Sequence, residues 1–421
     1  MKLDYYGREV IIARLVLSSI NTSRAFASVL VCLFILIMAV GASCAARPEF
    51  RGAWVTGWSS GYLTPAEADK TIAAAKAANI NALFIQVRKV GDAYYQSDYE
   101  PLATNIAGPP DYDPLAYIIE RAHSEGLEVH AWVNLLRVQS SNSTSFDPAH
   151  VCNAHPEWLM CDVSGSTKSA DGVFLDPGVP EVRDYTTQVV MDIARRYDVD
   201  GIHLDYIRYP GREWGYNSES VSRFNSRFGR VGDPDPADPK WSDWRREQVT
   251  GLVRNIYKRI NAVKPNVKVS AATVSWGECS SSFEDTLAYT KVFQDWAGWM
   301  REGIIDASIL MNYRDERKSS LAGQYRRWLQ GMQRWQYGRH VYAGQMVYSE
   351  YITGAVAQLE ASRASGSDGM VCFSFNDTPS RAALVSALKR SVYTGPAAVP
   401  TMSWKERFAR APSKRVRMIP F

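Results

Sequence analysis

The stretch of this chain best equipped for chemistry is Asp200-Gly201-Ile202-His203-Leu204-Asp205-Tyr206-Ile207-Arg208-Tyr209-Pro210. A period of two sets Ile202 and Leu204 on one face of a strand and His203 and Asp205 on the other. An acidic group turned inward near a strand's end is costly to bury without a partner, and strand ends of this kind carry catalytic groups in barrels of alternating strands and helices. Glycoside hydrolysis needs two carboxyl groups flanking one bond, one protonated and one ionised. Asp205 is the candidate for the ionised member, with Arg88 or Arg208 to hold its pKa down. Asp315 and Glu278, each just beyond a later strand, are the candidates for the acid, and Glu213 is a weaker third. The competing reading makes Asp205 a structural cap of the strand-to-helix loop.

The elements that must position these groups alternate along the chain. The spacing predicts strands over Gly52–Thr56, Ala82–Arg88, Glu128–Asn134, Gly201–Ile207, Val267–Val274, Asp306–Tyr313, Val341–Gln345 and Gly369–Phe375. Between them fall helical segments such as the one opened by the capping box Thr64-Pro65-Ala66-Glu67. Eight strand–helix pairs in order predict a single α/β (β/α)8 TIM barrel over residues 47–394, with extended loops at the C-terminal strand face. No glycine-rich phosphate fingerprint follows a strand, which disfavours a dinucleotide fold, and no cofactor is expected. Period two places Gln86 and Arg88, His130, Trp132 and Asn134, His203 and Asp205, Ser308 and Asn312, and Ser374 and Asn376 inside. On that phase Tyr206 points away from Asp205 toward the helix layer. Trp132, Arg208, Tyr209 and Tyr313 complete the candidate substrate-binding set with Arg88, Asn134, His203 and Asn312.

Composition removes other function classes. A net charge of +4 over 421 residues leaves no global footprint for nucleic acid, whereas 13 Trp and 22 Tyr suit a cleft for sugar rings as well as plain core packing. There is no Gly-x-Ser-x-Gly elbow for acyl transfer by serine. No Cys/His spacing resembles a zinc site, and no metal ligand is assigned; His130, His203 and Asp205 form only a sparse set for metal-assisted deacetylation of a glycan.

Residues 1–46 read as a signal peptide or a membrane or lipid anchor. Arg14 and Arg24 precede the apolar run Ala25–Val40 and the small residues Gly41-Ala42-Ser43. Cys44 has the position of a lipoprotein cysteine, but Gly41 stands where a larger aliphatic is usual, which favours cleavage or an uncleaved anchor. Each outcome exports the remainder to the cell envelope, and an uncleaved or lipidated segment would also hold it at the membrane. In an oxidising space Cys152 and Cys161 are spaced to close a small disulfide. Residues 395–421, with Lys405, Arg407, Arg410, Lys414, Arg415 and Arg417, read as a separate basic tail.

Several motifs together resemble the bacterial glycosyl-hydrolase-like family 10. They are Phe50-Arg51-Gly52-Ala53-Trp54-Val55, Gln86-Val87-Arg88 with Gly91-Asp92-Ala93-Tyr94-Tyr95, Ala131-Trp132-Val133-Asn134, Gly201–Tyr206, Gln294-Asp295-Trp296 and Met311-Asn312-Tyr313. The resemblance implies a (β/α)8 barrel of the bacterial envelope, often a lipoprotein, some members of which cleave peptidoglycan glycan strands stripped of stem peptides. It carries over Asp205 as the catalytic carboxylate and Arg88, Asn134, His203 and Asn312 as pocket residues. Many members have a second Asp where this chain has Tyr206, which leaves the substrate open. The expectation is therefore an exported glycoside hydrolase working with two carboxylates on an envelope glycan. The rival is a non-catalytic glycan-binding protein that keeps the pocket without a working acid.

Overall fold

The computed structural model describes residues 47–142, 147–347 and 352–405. The expected export segment, residues 1–46, and the basic residues beyond Lys405 lie outside the described residues. Eleven strands occur among them: β1 Phe50–Val55, β2 Ala82–Arg88, β3 Glu128–Asn134, β4 Arg137–Gln139, β5 Lys168–Ser169, β6 Gly172–Phe174, β7 Gly201–Asp205, β8 Lys268–Val274, β9 Ala307–Met311, β10 His340–Met346 and β11 Gly369–Phe373. Eight of them form a closed barrel in the order β1-β11-β10-β9-β8-β7-β3-β2, every pairing parallel. Closure leaves no edge strand, and helices cover the outside. The remaining three strands make a small antiparallel sheet, β4-β6-β5, in the long connection after β3.

Local chemistry explains the boundaries. Thr64 accepts from the Glu67 N–H at 3.2 Å and opens the helix Pro65–Ala77, while the Glu67 carboxylate reaches back to the Gly61 and Leu63 N–H groups. Asp113 caps Pro114–Ser124 in the same way. The helix Pro180–Arg196 packs beside Pro239–Val263. A helix over Ser218–Phe228, with the small sheet, is an addition to the sequence reading. It closes an aromatic cluster of Phe224, Trp241 and Trp244, the last two stacked at 5.0 Å.

The barrel interior is aromatic. Phe50, Trp54, Phe84, Trp132, Ile309, Tyr342 and Val371 fill it, and Met402 enters from below. Leu83, Ile85 and Val87, with Val129, Ala131 and Val133, face the helices as the period predicts. In β9 and β11 the phase is opposite to the expected one. Ala307 and Ile309, and Val371 with Phe373, turn inward, and Ser308 instead bonds Thr273 at 2.8 Å. Both faces of a covered parallel strand are apolar, so alternation there does not choose a face.

The stretch after 394 is not separate over its described part. Gly395, Ala397 and Ala398 offer carbonyls to Arg51, Asn81 and the Glu49 N–H. Beyond Met402, the Trp404 indole N–H and the Lys405 ammonium converge on buried Asp306, at 2.8 and 2.9 Å, beneath β9. The expected Cys152–Cys161 disulfide is absent; both thiols are free. Cys152 faces the Val138 carbonyl, whereas Cys161 packs on the Tyr216–Trp244 cluster.

Candidate active site

Asp205 is the last residue of β7, opposite Asn134 at the end of β3. The strand stops there because Tyr206 turns into the left-handed region, at φ 47°. That turn brings the Tyr206 N–H back onto Asp205 Oδ1 at 2.6 Å, while Trp132 donates its indole N–H to Oδ2 at 3.0 Å. Arg208 Nη1 stands 3.7 Å from Oδ1. Only 6% of Asp205 is exposed. Burial pushes its pKa above the ordinary carboxylate value of 3.8, and Arg208, the Tyr206 N–H, Trp132 and Arg137 oppose that shift without cancelling it. This reverses the expectation of a carboxyl held low by arginine.

Asp205 opens into a cavity of about 190 Å³ at the C-terminal mouth of the barrel, the face on which such barrels place their active sites. Trp54, Trp58, Trp132, Tyr206, Tyr313 and Phe373 supply aromatic walls, and Thr56, Gln86, Asn134, Arg137 and Arg208 supply polar groups. Tyr313 stacks on Phe373 at 5.2 Å. Trp58 is 49% exposed, with the Lys89 ammonium 4.6 Å from its ring. Asn134 donates to the Lys89 carbonyl at 2.7 Å, and its side-chain oxygen has no protein donor. Broader hollows of about 370 and 430 Å³ lie elsewhere, beside Ser281–Arg301 and Asp198–Lys268. Neither gathers Asp205 or the aromatic walls.

Of the residues singled out from sequence, Asp205, Asn134, Trp132, Arg208 and Tyr313 line this cavity. His203 lies one layer deeper. It accepts from the Trp54 indole at 3.1 Å and meets Ser270 Oγ at 2.9 Å, and burial drives its pKa well below 6.5. Neutral, with both ring nitrogens engaged, it supports Trp54 and does not bond Asp205.

Arg88, Asn312 and Tyr209 stand elsewhere. A register shift between Gln86 and Arg88 rotates Arg88 out of the barrel. It there forms a buried ion pair with Glu100 at 2.6 Å, on which Tyr185 also donates at 2.8 Å. Asn312 follows a tight turn, its N–H on the Leu310 carbonyl, and donates outward to the Tyr325 carbonyl at 3.0 Å. Tyr209 is buried edge-on against Phe293 at 5.5 Å. Tyr206, expected in the helix layer, instead lines the cavity, because the strand ends before its side chain is placed.

The two acid candidates do not line the cavity. Asp315 accepts from Arg317 at 2.9 and 3.1 Å, and Glu278 pairs with Arg327 at 2.8 Å. The facing guanidinium lowers the pKa of each carboxyl, the opposite of what a proton donor needs. Glu213 is exposed and also absent from the lining. Among the described residues Asp205 is the one carboxylate that lines the cavity. His130 pairs with Glu128 through Nε2 at 3.1 Å, and its unpartnered Nδ1 lies beside Gly201 at the opposite end of β7 from Asp205, while both nitrogens of His203 are engaged by Trp54 and Ser270. No group of three or more His, Cys, Asp or Glu side chains placed to hold a metal occurs among the described residues.

The closed (β/α)8 barrel, with a buried carboxylate at its C-terminal mouth walled by aromatic rings, agrees with the family match that makes this a glycan-acting, hydrolase-like protein. The chain belongs to the glycosyl hydrolase-like 10 family, whose model matches residues 49–352. It is 32% identical over 250 residues to the glycosyl hydrolase DigH of Escherichia coli K12, covering 54% of this chain and 53% of that protein. It is 29% identical over 240 residues to the glycosyl hydrolase YngK of Bacillus subtilis, covering 54% and 44%. The match thus spans about half the length of these relatives. Among solved structures, the glycoside hydrolase domain of PgaB (BpsB) from Bordetella bronchiseptica superposes with a TM-score of 0.59 at 14% identity, over 81% of this chain and 99% of that one. The β-amylase catalytic domain of Paenibacillus polymyxa gives 0.56 at 12%, over 83% and 99%. At these identities the structural likeness concerns the fold.

Proposed function

We propose that this protein is an exported glycoside hydrolase that cleaves glycosidic bonds in a bacterial cell-envelope glycan, with peptidoglycan glycan strands as the substrate. The observation that carries the reading is Asp205, a buried carboxyl of raised pKa at the floor of an aromatic-walled cavity. A carboxyl whose protonated form is favoured by burial suits proton donation to a leaving glycosidic oxygen. Trp132 and the Tyr206 N–H fix its orientation, and Trp54, Trp58 and Tyr313 offer flat faces to sugar rings. With one lining carboxylate, the second group falls to the substrate: the 2-acetamido oxygen of an N-acetylated sugar can meet the positive charge that develops at the anomeric carbon. Export rests on the charged, apolar and small-residue order of residues 14–43.

The same single carboxylate favours a second reading, a glycan-binding protein without turnover. Incubation of the full chain with intact and peptide-stripped peptidoglycan, followed by mass analysis of soluble products, separates the two. Released saccharides with new reducing ends support hydrolysis. Binding without any release supports the binder.

A further inference from the structure

The hollow of about 370 Å³ lies away from Asp205, between the loop after β8, the short helix Trp296–Glu302 and the chain that follows the helix Ser319–Arg334. Its floor is Trp335, 6% exposed and held edge-on by Phe283 and Trp296 at 5.1 and 5.6 Å. Its rim is Tyr337, which is 47% exposed and sits on a left-handed backbone at φ 46°. That conformation is costly for a bulky side chain, and packing does not offset it, since half the residue stays in water. The polar lining is mixed. Glu284 accepts from Ser282 Oγ, and Asp295 accepts from the Gly298 N–H at 2.9 Å. Arg301 stands 5.8 Å from the centre of the Tyr337 ring and forms no ion pair among the described residues, although both acids feel its charge. Flat rings beside carboxylates, a guanidinium and hydroxyls match a sugar, whose apolar face stacks on a ring while its hydroxyls donate and accept. Two carboxylates against one guanidinium disfavour an anionic ligand.

We propose that this hollow is a second glycan site, which holds an uncharged stretch of a long chain on Tyr337 and Arg301 while another part of the same chain lies at Asp205. The inference rests on the glycan-acting reading above and goes beyond it to how a polymer is retained. The loop after β8 joins the two places. Trp276 stands 5.5 Å from the Arg208 guanidinium that lines the Asp205 cavity, and Ser281, Ser282 and Glu284 further along that loop line the hollow. At about 190 Å³ the Asp205 cavity is the smaller of the two and grips only a short part of a chain.

The test compares the full-length wild type with Tyr337→Asn and Arg301→Gln. Asparagine tolerates the left-handed backbone, and two variants at separate positions keep the test open where one fails to fold. Cosedimentation with peptide-stripped peptidoglycan and with an insoluble, neutral N-acetylglucosamine polymer gives the affinity for long chains. Cleavage of a short soluble oligosaccharide of the same glycan reads the Asp205 cavity by itself. Each variant is expected to bind polymer about three- to tenfold more weakly, and the ratio of polymer to oligosaccharide turnover should fall by a similar factor. Polymer binding that neither substitution weakens overturns the site and leaves the glycan-acting reading intact. An equal loss on polymer and oligosaccharide also overturns it, because the hollow would then act through the Asp205 cavity. Polymer binding that depends on Tyr337 in a chain that releases no saccharide refutes hydrolysis and leaves the site standing. A wild type that binds neither polymer overturns both.

Discussion

Replacing Trp132 by Phe tests how Asp205 is tuned. The indole N–H is 3.0 Å from Asp205 Oδ2, and its ring packs in the barrel interior with its centre 6.4 Å from that of Trp54. Phenylalanine keeps an aromatic ring there and removes the donor. A hydrogen bond to a charged group is worth about 1.5–3 kcal/mol, and about 1.4 kcal/mol corresponds to one pKa unit. Losing it from the ionised form alone raises the Asp205 pKa by about 1–2 units, adding to the rise that burial already causes. A proton donor is competent below its pKa, so its activity falls as pH rises through that value. The account predicts that the alkaline limb of kcat/KM for glycan cleavage moves upward by about 1–2 pH units in Trp132→Phe. The assay follows new reducing ends at constant ionic strength from about pH 4 to 9. An unmoved alkaline limb, with the acidic limb moving up in its place, would show that Asp205 works ionised and refute the reasoning.

Other perturbations follow from the same geometry. Buried Asp176 has a pKa of about 7 in place of 3.8, because burial outweighs the Gly178 N–H that its Oδ1 accepts at 2.8 Å. A raised pKa favours the folded state fully below pH 3.8 and loses that contribution as pH rises through about 7, a swing on the order of 4 kcal/mol. Asp176→Asn should therefore raise Tm relative to wild type more at pH 8 than at pH 4, and a pH-independent difference by calorimetry would contradict this. Trp58→Ala should raise KM about five- to tenfold, the size of an aromatic contact, with Tm unchanged, since the ring is half exposed; unaltered KM would remove Trp58 from the sugar site. A chain ended at Pro400 loses Met402, Trp404 and Lys405 from beneath the barrel and leaves Asp306 short of one cation and one N–H donor. It should be destabilised by about 3–5 kcal/mol in urea unfolding, and an unchanged midpoint would show that the segment bears no load.

Legibility followed physical contrast along the chain. β3 was readable to the residue, and β2 as far as Val87, because Gln86, His130, Trp132 and Asn134 alternate with aliphatic neighbours. β9 and β11 were readable as strands but not in phase, since Ala307-Ser308-Ile309-Leu310 and Met370-Val371-Cys372 present weak alternation and are buried on both sides. Arg88 and Asn312 left the site through one-residue events, a register shift and a tight turn, that no periodicity announces. Asp205 was legible because the strand carrying it is polar on one face, whereas its raised pKa depends on packing by distant segments. Trp58 lies in the loop after β1 and shows its value only through its half-exposed ring beside Lys89. An exposed aromatic that near a strand's C-terminal end was the available signal. The docking of Met402, Trp404 and Lys405 was hidden by the basic composition of the residues that follow them.

The central claim is that Asp205 performs the proton transfer of glycosidic cleavage. Asparagine at this position keeps the volume and one acceptor, and it removes the titrating carboxyl, whose Oδ2 now accepts from Trp132 and whose Oδ1 accepts from the Tyr206 N–H. The most direct measurement compares full-length wild type with Asp205→Asn on peptide-stripped peptidoglycan, with soluble products quantified by mass spectrometry and glycan binding measured on both. The account predicts saccharide release by wild type, a loss of at least about a hundredfold in the variant, and binding retained within a few-fold. Release by Asp205→Asn at the wild-type rate would contradict it.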